Sequence, residues 1–212
     1  MKTTSSITPP AEINTDVLII PVFEGDNPRE GTLAQLDAAT SGQIAHAVDR
    51  GEISHRRDRW TILDPRGAVS AERILFYGAG SRDEIEPLVI QRLSGAAARL
   101  AEQKSSTRAA FFLPPGVASA QAAQAVAEGA ELGVVTPDFY VSEHDDDLRR
   151  LEEFNVVAAD LNEAELSEAV KRGSILAEAT NFARQLGFAP SNEMTPIELA
   201  RRAEEIIRLL PD

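Results

Sequence analysis

Gly78-Ala79-Gly80 and the Ser81 that follows stand between an apolar run and a helical pattern, a place where backbone amides hold phosphate. Gly78, Gly80 and Ser81 are the candidate contacts to a nucleotide. A dinucleotide fingerprint would need glycine where Asp83 stands, and Asp83 with Glu84 puts negative charge at the helix start. A tight strand-to-helix turn is the leading reading. Glu143-His144-Asp145-Asp146-Asp147 contains metal-ligand residue types, but it has neither a ligand periodicity nor a second histidine nearby and reads as a solvated acidic loop. His46 and His55 are too far apart in sequence for the i, i+4 pair of a helical metal site. Ser54, Ser81 and Ser94 lack the flanking glycines of a nucleophile elbow. Arg56, Arg57 and Arg59 form the one basic cluster and read as a solvated loop or an acidic subunit contact. With no cysteine in 212 residues, thiolate chemistry and disulfides are excluded. No catalytic and no metal-ligating residue is assigned within this chain.

The net charge of −13 opposes phosphate backbones and anionic membranes, which are bound by basic patches that displace counterions. No nucleic-acid partner and no membrane partner is expected. The first residues, MKTTSSITPPAEIN, hold no apolar run and do not read as a signal peptide. No segment approaches the ~20 apolar residues that span a bilayer. The expected location is the cytoplasm. An apolar share of 43% with few aromatics and abundant alanine supports a sizeable core of helices packed through small side chains.

Short apolar runs alternate with helical patterns. Residues 16–23 predict a buried strand, because Val17, Leu18, Ile19, Ile20 and Val22 leave no polar face. Leu33, Leu36, Ile44 and Val48 predict a helix stopped at Gly51. Two strands, 59–64 and 73–78, flank the Pro65–Gly67 turn. Val89, Leu93, Ala96 and Leu100 make one stripe of a helix within 85–104. A strand at 109–114 precedes an alanine-rich helix capped by Ser119 and running towards Gly133. After a less regular section, 134–153, comes a strand at 155–160. Asn162 caps a long helix lined by Leu166, Val170, Leu176, Ala179, Phe182 and Leu186. Pro190 ends it. Thr195 and Pro196 open another helix, with Glu198 in its first turn and a stripe of Leu199, Ala203, Ile206 and Leu210. That stripe needs a surface to bury against, and the expectation is that the chain stops inside a longer protein. The alternation predicts an α/β sandwich with a mixed, mostly parallel sheet covered by helices on both faces.

Three blocks resemble one family. Arg184, Leu186, Pro190, Asn192, Thr195 and Pro196 match the pattern Arg-Asp-Leu-Val-Asn-x-Pro-x-Asn-x-x-Thr-Pro, with Gln185 and Phe188 departing from it. Gly78, Gly80, Arg92, Gly95, Ala96 and Ala98 match a second block, and Glu128-Gly129-Ala130 with Leu132 and Gly133 a third, where Val135 and Pro137 replace the usual aromatics. In order and spacing these resemble the N-terminal domain of the leucyl aminopeptidases, the first pattern lying at the junction with their catalytic domain. The resemblance implies a macro-like three-layer sandwich over residues 1–160, a linker helix over 161–190, and the start of a peptidase domain over 191–212. It implies a parent that hydrolyses N-terminal residues from peptides with two divalent metals (zinc, manganese or magnesium), assembled as a hexamer. The parent's ligand motifs lie beyond the junction, so this chain is expected to hold no cofactor and to need the missing catalytic domain as partner. The alternative is a stand-alone macro-like module binding ADP-ribose or another nucleotide at Gly78, Gly80 and Ser81.

Overall fold

The computed structural model describes residues 1–135 and 149–209. Among these residues six strands form one sheet: β1 (Lys2–Ser6), β2 (Val17–Phe23), β3 (Trp60–Leu63), β4 (Arg73–Gly80), β5 (Arg108–Phe112) and β6 (Glu153–Val157). The helices are α1 (Gly31–Ala39), α2 (Gln43–Asp49), α3 (Pro87–Gln103), α4 (Ala120–Val134), α5 (Glu163–Phe188) and α6 (Pro196–Leu209). The strand order is β1-β6-β5-β2-β4-β3. Every neighbouring pair is parallel except β3 with β4 at one edge, so the sheet is mixed and mostly parallel.

β2 lies inside the sheet and is buried along its whole length, which explains why its sequence is a continuous apolar run rather than an alternation. Its odd residues Val17, Ile19 and Phe23 face one core with α3, α4 and α5. Leu18, Ile20 and Val22 face the other with α1 and α2. Pro21, a residue with no ladder donor, comes after the pairing to β5 has ended at Ile19. Helices therefore cover both faces, as the alternation of patterns predicts.

Three elements differ from the sequence reading. β1 is a strand where no apolar run announced one: it pairs along one side with β6, Lys2 opposite Glu153 through Ser6 opposite Val157. Its polar side chains are only partly buried, as suits an edge position. The helix expected from Leu33 to Val48 is two helices. Ser41 and Gly42 take φ of 56° and 82°, a left-handed step that an α-helix cannot contain. The Asp37 carboxylate then accepts from the Ala45 amide at 2.8 Å and supports the start of α2. Along α5 the buried face is Leu166, Ala169, Val170, Gly173, Ala177 and Asn181. Leu176 is 42% exposed, because small residues at 169, 173 and 177 set the face that meets α4.

Asp16, just before β2, ties the starts of two strands together. Its Oδ2 accepts from the Thr107 amide (2.8 Å), the Thr107 hydroxyl (2.9 Å) and the Arg108 amide (3.0 Å), while Oδ1 accepts from Arg108 Nε at 3.1 Å. Burial pushes the carboxyl pKa up, but the hydrogen bonds from Thr107 and Arg108 together outweigh it and hold the group below its ordinary 3.8. A carboxylate depressed in the folded state contributes stability that is complete above the unfolded value and is lost as pH falls through the folded one. Asp16→Asn is expected to lower stability by about 2 kcal/mol at neutral pH. Thermal melts of the two proteins are expected to converge as pH drops below about 4.

Candidate functional site

Gly78, Ala79 and Gly80 form the end of β4, not a free loop, and their surroundings are crowded. The Gly78 amide donates to the Arg59 carbonyl and the Gly80 amide to the His55 carbonyl, both at 2.8 Å. The Gly80 carbonyl accepts from the Glu24 amide at 2.9 Å. A Cβ at position 78 would lie 1.9 Å from the Arg56 carbonyl oxygen, so glycine is required there for the close approach of the 54–59 loop. Gly80 sits at φ 82°. Ser81 makes no side-chain capping bond, and Asp83 and Glu84 follow in a single 3-10 turn. Arg57 bonds Glu84 at 2.8 Å. Arg82 bonds Asp26 at 2.7 Å, its guanidinium 4.4 Å from the centre of the Phe23 ring. The amides of Gly78 and Gly80, two candidate donors to a phosphate, are thus engaged with protein carbonyls, and the turn serves to bind the loops around it.

Beside this turn lies a cleft of 260 Å³ lined by Arg57, Asp58, Tyr77, Gly78, Ala79, Val89, Arg92, Leu93 and Ala96. Tyr77 is 7% exposed, and its hydroxyl donates to Asp58 Oδ1 at 3.4 Å. Burial first, and then the Asp58 charge and hydrogen bond, push the phenol above its ordinary value.

The helical part of the second block lies on α3 and the third block on α4, and the two meet each other. A Cβ at Gly129 would fall 2.0 Å from the Gln91 carbonyl oxygen, and one at Gly133 would fall 2.3 Å from that of Gly95. One at Gly173 of α5 would fall 2.4 Å from the Gln124 carbonyl oxygen. Ser94, a serine weighed for nucleophilic chemistry, is fully buried and donates to the Val126 carbonyl at 2.7 Å. The C-terminal end of α4 has carbonyls without intrahelical donors, and its neighbours supply them. Arg99 of α3 donates to the Gly133 carbonyl at 2.9 Å. Asn181 and Arg184 of α5 donate to the Glu131 and Leu132 carbonyls at 3.3 and 3.0 Å, and Arg184 also donates to Asn181 Oδ1 at 3.0 Å. Cationic groups at a helix C-terminus are favoured by its dipole as well. Arg184, matched above by pattern, has a structural task in this chain. Asn181 was not singled out, and its place one turn before Arg184 was the available signal.

At the junction, Ala189 is extended and the Thr195 hydroxyl accepts from the Glu198 amide at 3.3 Å, as expected of an N-cap. Hydrogen bonds from Arg201 and then Arg202 hold the Glu198 carboxyl down to about 2. Ile197, Leu199 and Ile207 of α6 are 83%, 47% and 66% exposed.

His46 is exposed on α2 and His55 lies in the loop before β3, and the two form no pair of ligands. Residues 143–147 lie outside the described residues. Among the described residues no three His, Asp or Glu side chains come together to hold a metal ion. No helix among them is long and apolar enough to cross a membrane.

Comparisons with known proteins point to one family. The profile of the cytosol aminopeptidase family, N-terminal domain, matches residues 19–142. A probable cytosol aminopeptidase of Solibacter usitatus is 35% identical over 206 residues, covering 97% of this chain and 40% of the relative. One of Geobacter sulfurreducens is 31% identical over 183 residues, covering 85% and 37%. The chain therefore spans about 40% of the length of such relatives. Among solved structures, a mutant of tomato leucine aminopeptidase matches in fold with a TM-score of 0.81 at 22% identity, over 99% of this chain and 42% of that one. The bottromycin maturation enzyme BotP in complex with Mn matches with a TM-score of 0.68 at 25% identity, over 92% and 36%.

Proposed function

This chain belongs to the cytosol aminopeptidase family, and we propose that it is the non-catalytic N-terminal domain of a two-metal leucyl aminopeptidase. The observation that carries the reading is one of coverage. The match takes in 97% of this chain but only 40% of the relative's length. In the parent, two divalent cations (zinc, manganese or magnesium) would lower the pKa of a bound water and polarise the scissile carbonyl of an N-terminal peptide bond. That centre belongs to the catalytic domain, and no step of it is assigned to residues of this chain.

The domain's part is support. Residues 1–160 form the sandwich, 161–190 the helix leading out of it, and 191–212 the first piece of the peptidase domain. Exposed Ile197, Leu199 and Ile207 on α6 suit a helix whose partner surface lies in that domain. Assembly as a hexamer in the cytoplasm and action on peptide substrates follow from the same reading.

The test is direct. Purified chain given manganese, zinc or magnesium is expected to release no chromophore from a leucine anilide, and metal-dependent release would overturn the proposal. The nucleotide alternative at Gly78, Gly80 and Ser81 is disfavoured by the bonded amides of Gly78 and Gly80, and calorimetric titration with ADP-ribose is expected to give no binding heat.

A further inference from the structure

The cleft beside Tyr77 has a lining of mixed sign. Arg57, Asp58 and Arg92 line it together with apolar Val89 and Leu93. Arg92 is exposed and makes no hydrogen bond or ion pair among the described residues. A spare guanidinium is notable in a chain where 34 acidic residues outnumber 21 basic ones. Asp58 is held on a left-handed backbone, φ 61°, in a turn closed by the Arg59 amide donating to the Arg56 carbonyl at 3.2 Å. That turn is in turn pinned to β4 through Gly78, so the carboxylate is placed before any ligand arrives. Its bond from the Tyr77 hydroxyl, at 3.4 Å, is long and leaves acceptor capacity on Asp58.

Charge decides what such a cleft accepts. Arg57 is already paired with Glu84 at 2.8 Å, so a simple anion meets Asp58 and a simple cation meets Arg92. A molecule carrying an anionic and a cationic group on one carbon satisfies Arg92 and Asp58 together. The volume of 260 Å³ lies just under the range of about 300–1,000 Å³ typical of larger ligands, so the occupant is small. We propose that this cleft binds a free α-amino acid with a short aliphatic side chain. Its carboxylate is taken by Arg92, its ammonium by Asp58, and its side chain by Val89 and Leu93. Charge-assisted hydrogen bonds at both ends supply specificity, and the apolar floor selects against polar side chains.

Calorimetry on the whole chain tests this with three probes: L-leucine, leucinamide, which lacks the carboxylate, and 4-methylpentanoate, which lacks the ammonium. Leucine is expected to bind with a Kd of about 1 mM, and each of the others at least about tenfold more weakly. Arg92→Ala and Asp58→Asn are each expected to weaken leucine about tenfold with unchanged thermal melts, since Arg92 is exposed and asparagine tolerates the left-handed backbone. Trp60, the single tryptophan, stands opposite Tyr77 across the β3–β4 pair, so its fluorescence gives an independent titration curve. No binding of leucine up to about 20 mM, leucinamide binding as well as leucine, or leucine binding undiminished in Arg92→Ala would each overturn the assignment. Any of these leaves the supporting role of the domain standing, because peptidase activity is not what is measured.

Discussion

Gly129→Val is expected to destabilise the domain by about 3 kcal/mol or more, a large part of the ~5–15 kcal/mol that holds a typical domain folded. Even the first added carbon would stand 2.0 Å from the Gln91 carbonyl oxygen of α3. Backbone on both sides leaves no flexible side chain to yield. The two helices would have to separate, opening the core that Leu93, Ala97, Val126 and Ala130 fill, and the lost packing adds to the clash. Chemical denaturation of the two proteins measures it as a fall in midpoint with little change in slope. Gly187→Ala is the comparison: it lies exposed in α5 with nothing within 4 Å of the new carbon. There the change is expected to add about 0.5–1 kcal/mol, from helix propensity alone.

Gly78→Ala is expected to cost about 2–3 kcal/mol and to act locally. The added methyl would lie 1.9 Å from the Arg56 carbonyl oxygen and 2.9 Å from that of Ser54. The 54–59 loop, rather than the sheet, is the part able to move away. Its displacement breaks the bonds from the Gly78 and Gly80 amides to Arg59 and His55. Amide hydrogen exchange reads this out: faster exchange at 78 and 80, with protection retained at Ile19 and Phe111 in the buried centre of the sheet. Uniform loss of protection across the sheet would show instead that the loop and sheet open as one unit.

Much of the architecture was legible in residue pattern, for reasons particular to each element. β2 and β5 are internal strands, so burial on both faces wrote unbroken apolar runs into 17–23 and 109–113. Ser119 and Asn162 cap α4 and α5 as their types suggest, accepting from the Ala122 and Ala164 amides at 3.1 and 2.9 Å. β1 was illegible because an edge strand buries little, and Lys-Thr-Thr-Ser-Ser owes its conformation to β6 rather than to its own propensity. The α1–α2 break rests on a left-handed serine, which periodicity of the apolar positions does not register. On α5 the expected stripe holds at Leu166 and Val170 and fails at Leu176, because close helix contact beyond that point favours glycine and alanine over leucine. Several residues of the matching blocks have packing and capping tasks: Gly95, Gly129, Gly133 and Arg184 fix how three helices meet. Their family pattern was visible in sequence, but their task required coordinates, since a carbonyl 2 Å from a missing methyl has no signature along the chain.

The pairing of Lys2 with Glu153 has a bearing on how the molecule comes into being. A ribosome delivers residues 2–6 long before 153–157 exist, so the earliest of these segments to emerge waits unpaired for the latest. Until then β5 is the outermost strand on that side, and its free margin is open to unwanted partners. The hydroxyl-rich, weakly apolar makeup of that first segment lets it wait in water without sticking.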